Sequence, residues 1–269
     1  MSGGCHRAVG NREAGRSRRR LAVIALTVLA VVATCVALAG GGLLVRSLSA
    51  VDAVPLVAAS SAGPAPTLTS ATPTVSATTG AGVASLVDAS WVAETAEVTG
   101  IPARALAAYA GVAVLLRTEQ PGCGLDWATL AGIGDVESVH GTVAGGSIDA
   151  DGQQTPALVG IALDGTASAA IADTDEGALD GDTTWDRAVG PMQIIPDTWR
   201  RYAADGNGDG TADPQQIDDA ALAAGRYLCV AADDLTQPDR WIAAVAAYNA
   251  SADYNNLVAA ATDRYRAAG

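Results

Sequence analysis

Residues 21–45 form an apolar run of 25 residues without a single charge. At about 1.5 Å per helical residue, the run is long enough to cross a hydrocarbon layer of roughly 30 Å. The chain ahead of it is basic, with six arginines (Arg7, Arg12, Arg16, Arg18, Arg19 and Arg20) and one acid, Glu13. Positive flanks stay on the cytoplasmic side of a membrane. Residues 1–20 therefore read as a cytoplasmic basic tail and residues 21–45 as a single anchor in the cell membrane, with all that follows exported. A cleavable signal is the rival reading. Ala37-Leu38-Ala39 ahead of Gly40 fits a small-x-small cleavage site, and cleavage after Ala39 would release a secreted protein. The length of the run favours the anchor. Cys35 follows Thr34 and is followed by more apolar sequence, so it does not form a lipidation site.

Residues 46–84 are rich in Ala, Ser, Thr and Pro (Pro55, Pro64, Pro66 and Pro73), show no apolar periodicity and predict a flexible linker. Residues 85–269 read as one domain of ordinary size. That domain holds nine arginines against 27 acids. Phosphate backbones would be repelled, which excludes nucleic acid and leaves a neutral sugar polymer or a cation. The acidity also serves solubility. The chain has no Phe and only two Met, and small core residues favour closely packed helices over a thick β-sandwich. Helix signals run from Ser85 to Val98, from Pro102 to Arg117, and from an Asp126 N-cap to about His140. Pro196 starts a short helix to Ala203, Asp218 caps one through Val230, Thr236 and Pro238 open one to Tyr248, and Ser251 caps the last. No segment sustains the alternation of a strand, so the predicted class is mainly all-α. The Gly- and Asp-rich stretch 142–186 predicts a long excursion, a kind of loop that either covers a site or stays disordered. Cys5 falls in the tail and Cys35 in the apolar run. Only Cys123 and Cys229 reach the oxidising exterior, where they predict one disulfide.

Chemistry enters at residues 126–141. On a helix, Leu130, Ile133 and Glu137 share one face that is otherwise apolar. A carboxyl group held there is desolvated and its pKa rises. A carboxylic acid that stays protonated near neutral pH is what glycosidic-bond cleavage needs, because the leaving oxygen must receive a proton. The bland alternative is a helix-end glutamate that reaches solvent. Two further segments stand out. Gln193 interrupts the apolar stretch 189–195 ahead of a Pro-started helix. Trp241, Val245 and Tyr248 form a stripe that runs into Asn249, and taken alone Trp241 and Val245 read as core. Elsewhere, Asp205, Asn207 and Asp209 lie at positions 1, 3 and 5 of an EF-hand-like loop, with Gly210 at the sharp turn and the Thr211 carbonyl at position 7. Position 12 is Gln216, which cannot be a bidentate anion, so Asp213 would have to take that role. Either one structural Ca²⁺ or a bare Asn/Gly/Asp turn fits this pattern. Asp173, Asp175, Glu176, Asp180 and Asp182 read as a solvated acidic loop with some capacity for a cation.

Three blocks occur together and in order: Ile133-Gly134-x-x-Glu137-Ser138-x-x-Gly141, Gly190-Pro191-Met192-Gln193 and Ala246-Ala247-Tyr248-Asn249. In combination they resemble the lytic transglycosylases, particularly the membrane-bound B type of actinobacteria, over roughly residues 85–266. The resemblance implies a goose-lysozyme-like helical fold acting on peptidoglycan glycan strands. It implies Glu137 as the catalytic acid, glycan-binding roles for Ser138, Gln193, Tyr248 and Asn249, and Met192 as an apolar wall. It further implies that Tyr248 positions the glutamate or the sugar N-acetyl group. It also implies a calcium site near residues 205–213, with no cofactor needed for the chemistry. His140 and Pro191 depart from the Gram-negative pattern. No second acid has a motif-defined place opposite Glu137, which favours non-hydrolytic cleavage to 1,6-anhydro ends. The alternatives are a lysozyme-like muramidase using Asp173, Asp175 or Asp182 to activate water, and a non-catalytic glycan-binding module.

Overall fold

Small residues set how the helices meet. In a computed structural model that describes residues 82–166 and 168–269, the regular structure is mainly seven α-helices. They are α1 (Ala89–Thr99), α2 (Ala103–Glu119), α3 (Trp127–Ser138), α4 (Pro196–Tyr202), α5 (Ile217–Ala231), α6 (Pro238–Tyr248) and α7 (Ala252–Ala268). The expected tail 1–20, the apolar run 21–45 and the linker up to residue 81 lie outside the described residues. Among the described residues no single helix is long and apolar enough to cross a membrane. Residues 82–163 and 171–269 belong to one compact unit, and 164–170 fall outside it.

Helix α2 runs through the core. Ala105, Leu106, Ala108, Tyr109, Val112 and Leu116 are all buried, against α3 on one side and α5 on another. Helix α3 is buried nearly all round and packs most extensively on α7. That approach depends on Gly132, where a Cβ would stand 2.4 Å from the Thr262 hydroxyl and 3.0 Å from the Val258 carbonyl. Close backbone contact of this sort substitutes for the large side chains the chain lacks. Cys123, just ahead of α3, is disulfide-bonded to Cys229 on α5, with Cα atoms 5.3 Å apart.

The helix starts follow the expected chemistry with two changes. Asp126 accepts from the Thr129 amide and Ser251 from that of Tyr254, while Pro196 and Pro238 occupy the first turns of α4 and α6. The first helix begins at Ala89 rather than Ser85, because Asp88 takes the Ser90 and Trp91 amides. Residues Val83–Leu86 form a 3-10 turn instead, and buried Val83 donates its amide to Gly206 O at 2.7 Å. Residues 82–84, placed in the predicted linker, thus pack with the domain. Helix α5 is capped by Gln216, not Asp218. The Asp218 carboxylate is unavailable because Arg104 grips both its oxygens.

The long excursion is ordered around short ladders that sequence periodicity could not reveal. Strand β1 (Ser147–Ile148) pairs antiparallel with β2 (Gln154–Thr155), and β3 (Val159–Ala162) with β4 (Arg187–Val189). Strands of two to four residues are too short to display an alternating pattern. The mainly helical class stands.

Candidate active site

Glu137 sits in the last turn of α3, above fully buried Leu130 and Ile133. It is itself partly exposed, so a ligand can reach it. Burial pushes its carboxyl up to about 7, opposed by a hydrogen bond from Tyr254. The Tyr254 hydroxyl donates to Glu137 Oε1 at 2.6 Å. No second carboxylate contributes to the shift. Glu137 is thus an acid poised between protonated and ionised near neutral pH, with one oxygen held by a tyrosine and no other carboxylate among the described residues shifting it.

The three sequence blocks converge here through two backbone carbonyls. Residues 190–193 form a tight hairpin loop, closed by the reciprocal Val189–Ile194 amide bonds. From α3, the Ser138 hydroxyl donates to Pro191 O at 2.6 Å. From the end of α6, the Tyr248 hydroxyl donates to Met192 O at 2.7 Å. Gln193 has a left-handed backbone (φ 48°) and folds its side-chain amide back onto Gly190 O. Gly190 is required at the loop's start, since a Cβ there would stand 1.7 Å from Pro214 O.

This geometry corrects several assigned roles. Ser138 is buried, with its hydroxyl shared between Pro191 O and the Gly141 amide, so it staples the site rather than touching glycan. Met192 is completely buried and forms core beneath the loop, not an exposed wall. Tyr248 holds the loop, and the residue that holds the glutamate is Tyr254. Gln193 and Tyr248 remain partly accessible and Asn249 is exposed. Asn249 organises the corner between α6 and α7. Its side chain accepts from the Ser251 amide, and Asn255 donates to its carbonyl. Tyr254 belongs to the inward stripe Tyr254, Val258, Ala261, Tyr265 of α7, all buried. That helical spacing was the available signal for it.

Beside the acid, Tyr248 leads into a row of rings. Tyr227 lies edge-on to it at 5.7 Å, and Tyr202 edge-on to Tyr227 at 5.2 Å. All three are partly accessible.

The acids weighed as water-activating bases are occupied in their own loop. Asp173 accepts from the Asp175 and Gly177 amides, and Asp175 from those of Gly177 and Leu179. Asp182 is held below the usual carboxylate range by the Thr184 amide and by Arg187. Asp173 and Asp175 do approach a third acid, Asp186, which Thr174 engages through both its amide and its hydroxyl.

The residues proposed as calcium ligands make hydrogen bonds within and beside their own loop. Asp205 accepts from the Gly208, Asp209 and Gly210 amides, and Asn207 and Asp209 touch at 2.9 Å. Asp213 turns away, towards Gln153 and the Gln215 amide. Among the described residues the one group of three acids with ligand atoms within 4.8 Å of one another lies elsewhere, at Asp173, Asp175 and Asp186. What organises the loop is buried Asp219, which accepts from the Gly206, Asn207 and Asp213 amides. Melting midpoints with excess calcium and with chelator decide between an ion and a bare turn here, equal midpoints favouring the bare turn. Asp219→Asn should cost about 1–3 kcal/mol, because only one acceptor oxygen remains for the Gly206, Asn207 and Asp213 amides. A midpoint raised by calcium would place an ion in this loop.

Residues 103–266 match the family model described as Transglycosylase SLT domain. The chain belongs to that family. The match begins at the first residue of α2 and ends within α7, so it takes in Glu137, the 190–193 loop and Tyr254. Comparison with curated proteins and with solved structures finds no match. Membership of the transglycosylase SLT family makes this a lytic transglycosylase in general terms, with peptidoglycan as its substrate. The helical architecture agrees with a lysozyme-like SLT domain.

Proposed function

We propose that the domain cleaves the bond between N-acetylmuramic acid and N-acetylglucosamine without water, leaving 1,6-anhydromuramic ends, as a membrane-bound B-type enzyme of cell-wall remodelling. The observation that carries this reading is the lone, desolvated Glu137 with its single tyrosine partner. A hydrolase of the usual kind needs a second carboxylate, as nucleophile or to activate water. One carboxyl group suffices when the nucleophile belongs to the substrate. Protonated Glu137 delivers its proton to the bridging oxygen as the bond from that oxygen to C1 breaks. The resulting carboxylate then takes the proton from the muramic C6 hydroxyl, whose oxygen closes on C1. No water is consumed, and the enzyme returns to its starting state. An internal nucleophile also supplies a proximity that free water lacks. The tyrosine row offers apolar ring faces to successive sugars. Tethering through residues 21–45 would place this chemistry at the outer face of the cell membrane.

Treatment of the products with borohydride tests the reading. Anhydro ends have no free hemiacetal and resist reduction, whereas a muramidase yields reducible ends and a binding module releases no fragments. Reducible ends or intact glycan would overturn it.

Tyr254→Phe removes the hydrogen bond that holds the Glu137 pKa down. The carboxyl group should then stay protonated to higher pH, moving the alkaline limb of the rate profile upward. The turnover rate should fall about tenfold, because the base step loses a fixed partner. An unchanged profile would mean that Tyr254 does not govern the acid.

A further inference from the structure

We propose that His140 is a positioning residue for Glu137, locking the end of α3 to α7 so that Tyr254 meets the glutamate. The inference rests on the reading of Glu137 as the acid and base. Three successive residues after Ser138 adopt left-handed backbone: Val139 (φ 52°), His140 (φ 56°) and Gly141 (φ 79°). Glycine adopts that conformation freely, but a β-branched valine there is strained and persists only where its surroundings enforce it. Val139 does not enforce it, since its side chain is 38% exposed.

His140 does. It is 4% exposed, and both ring nitrogens are engaged. Nδ1 lies 3.4 Å from the Tyr109 hydroxyl on α2, and Nε2 lies 2.9 Å from the Tyr265 hydroxyl on α7. Tyr109 is fully buried and has no other hydrogen-bond partner among the described residues. Its hydroxyl must therefore donate to Nδ1 or leave a buried donor unmet. That assigns the proton to Nε2, which donates to Tyr265. Asp135 lies beside Tyr265 and is held by Arg264 at 2.6 Å. Burial pushes the imidazole down to about 4, with Asp135 opposing and Arg264 adding to the shift, so the ring is neutral at neutral pH.

The same network reaches back to the catalytic helix. The Tyr109 hydroxyl stands where a Cβ on Gly134 would be, at 2.2 Å, one turn ahead of Glu137. Helix α7 thus grips the end of α3 twice, through Tyr254 on Glu137 and Tyr265 on His140. The second grip fixes the register in which the first can form. Gln154 braces the turn further, donating to Gly141 O at 3.0 Å while its own carbonyl oxygen stays buried without a partner.

The test compares His140→Phe, which keeps an aromatic ring but neither hydrogen bond, with Tyr265→Phe, which leaves the turn's sequence intact. Turnover, KM and the pH–rate profile are read on peptidoglycan well below the melting midpoint, with Glu137→Gln alongside. The expected result is a fall in kcat of about ten- to a hundredfold in both variants, with KM within about twofold and the alkaline limb displaced. Unchanged kcat and limb, with only a lowered midpoint, would reduce His140 to a structural residue and overturn the inference. Should His140→Phe fail to fold, Tyr265→Phe decides alone by the same criteria. Activity retained by Glu137→Gln would instead strike the underlying reading of the acid.

Discussion

Glu137→Gln is expected to abolish glycan cleavage and to yield a domain more stable than the parent above neutral pH. The amide keeps the shape and can still accept from Tyr254, but it can neither deliver nor remove a proton. Loss of the general acid–base should cost at least about a hundredfold in turnover. The stability gain follows from the sign of the pKa shift. Burial raises the carboxyl to about 7, so the folded state binds a proton more tightly than the unfolded chain does. That preference is fully present below the ordinary carboxyl value of 4.5 and is lost as pH rises from there through about 7. A glutamine carries no such penalty. Melting midpoints of parent and variant should therefore converge near pH 4, below the unfolded carboxyl's value, and separate at pH 8, by about 1–3 kcal/mol. A variant less stable than the parent at pH 8 would mean that the acid is not held at a cost.

Removing the Cys123–Cys229 bond has the largest expected effect on stability. The residues are 106 apart in sequence, and the bridge joins the approach to α3 with the far part of α5. For a closed loop of that length the chain-entropy estimate is about 4–5 kcal/mol, and measured values more often fall near 2–4 kcal/mol. The bond ties the segment leading into α3 to the helix behind the 205–213 loop. Replacing both cysteines with alanine should lower the melting midpoint by roughly ten degrees. A shift of only a degree or two would show that packing alone holds these elements in place.

Much of this was readable from local signals. Glu137 announced itself as a carboxylate on the face shared by Leu130 and Ile133, and both of those are buried. Asp126, Ser251 and the prolines marked helix starts because capping and fixed φ act within a few residues. The disulfide followed from which cysteines the expected export would place outside. What stayed hidden depends on partners distant in sequence. Ser138 and Met192 look like ligand contacts in their motifs, yet one bonds the loop carbonyl of Pro191 and the other fills core. Tyr254 is one aromatic among others until α7 is laid on α3. Asp219 reads as an ordinary first-turn acid, and only the folded chain brings the Gly206, Asn207 and Asp213 amides over it. Arg104 likewise takes Asp218 out of its expected capping role from 114 residues away.

The central claim is that one carboxyl group carries the reaction because the substrate supplies the nucleophile. Mass analysis of peptidoglycan fragments released in water enriched in heavy oxygen tests it most directly. The account predicts muramic ends one water lighter than hydrolysis would leave, with no heavy oxygen at C1. Full-mass ends carrying the label would show that water attacks, and that a second group must activate it.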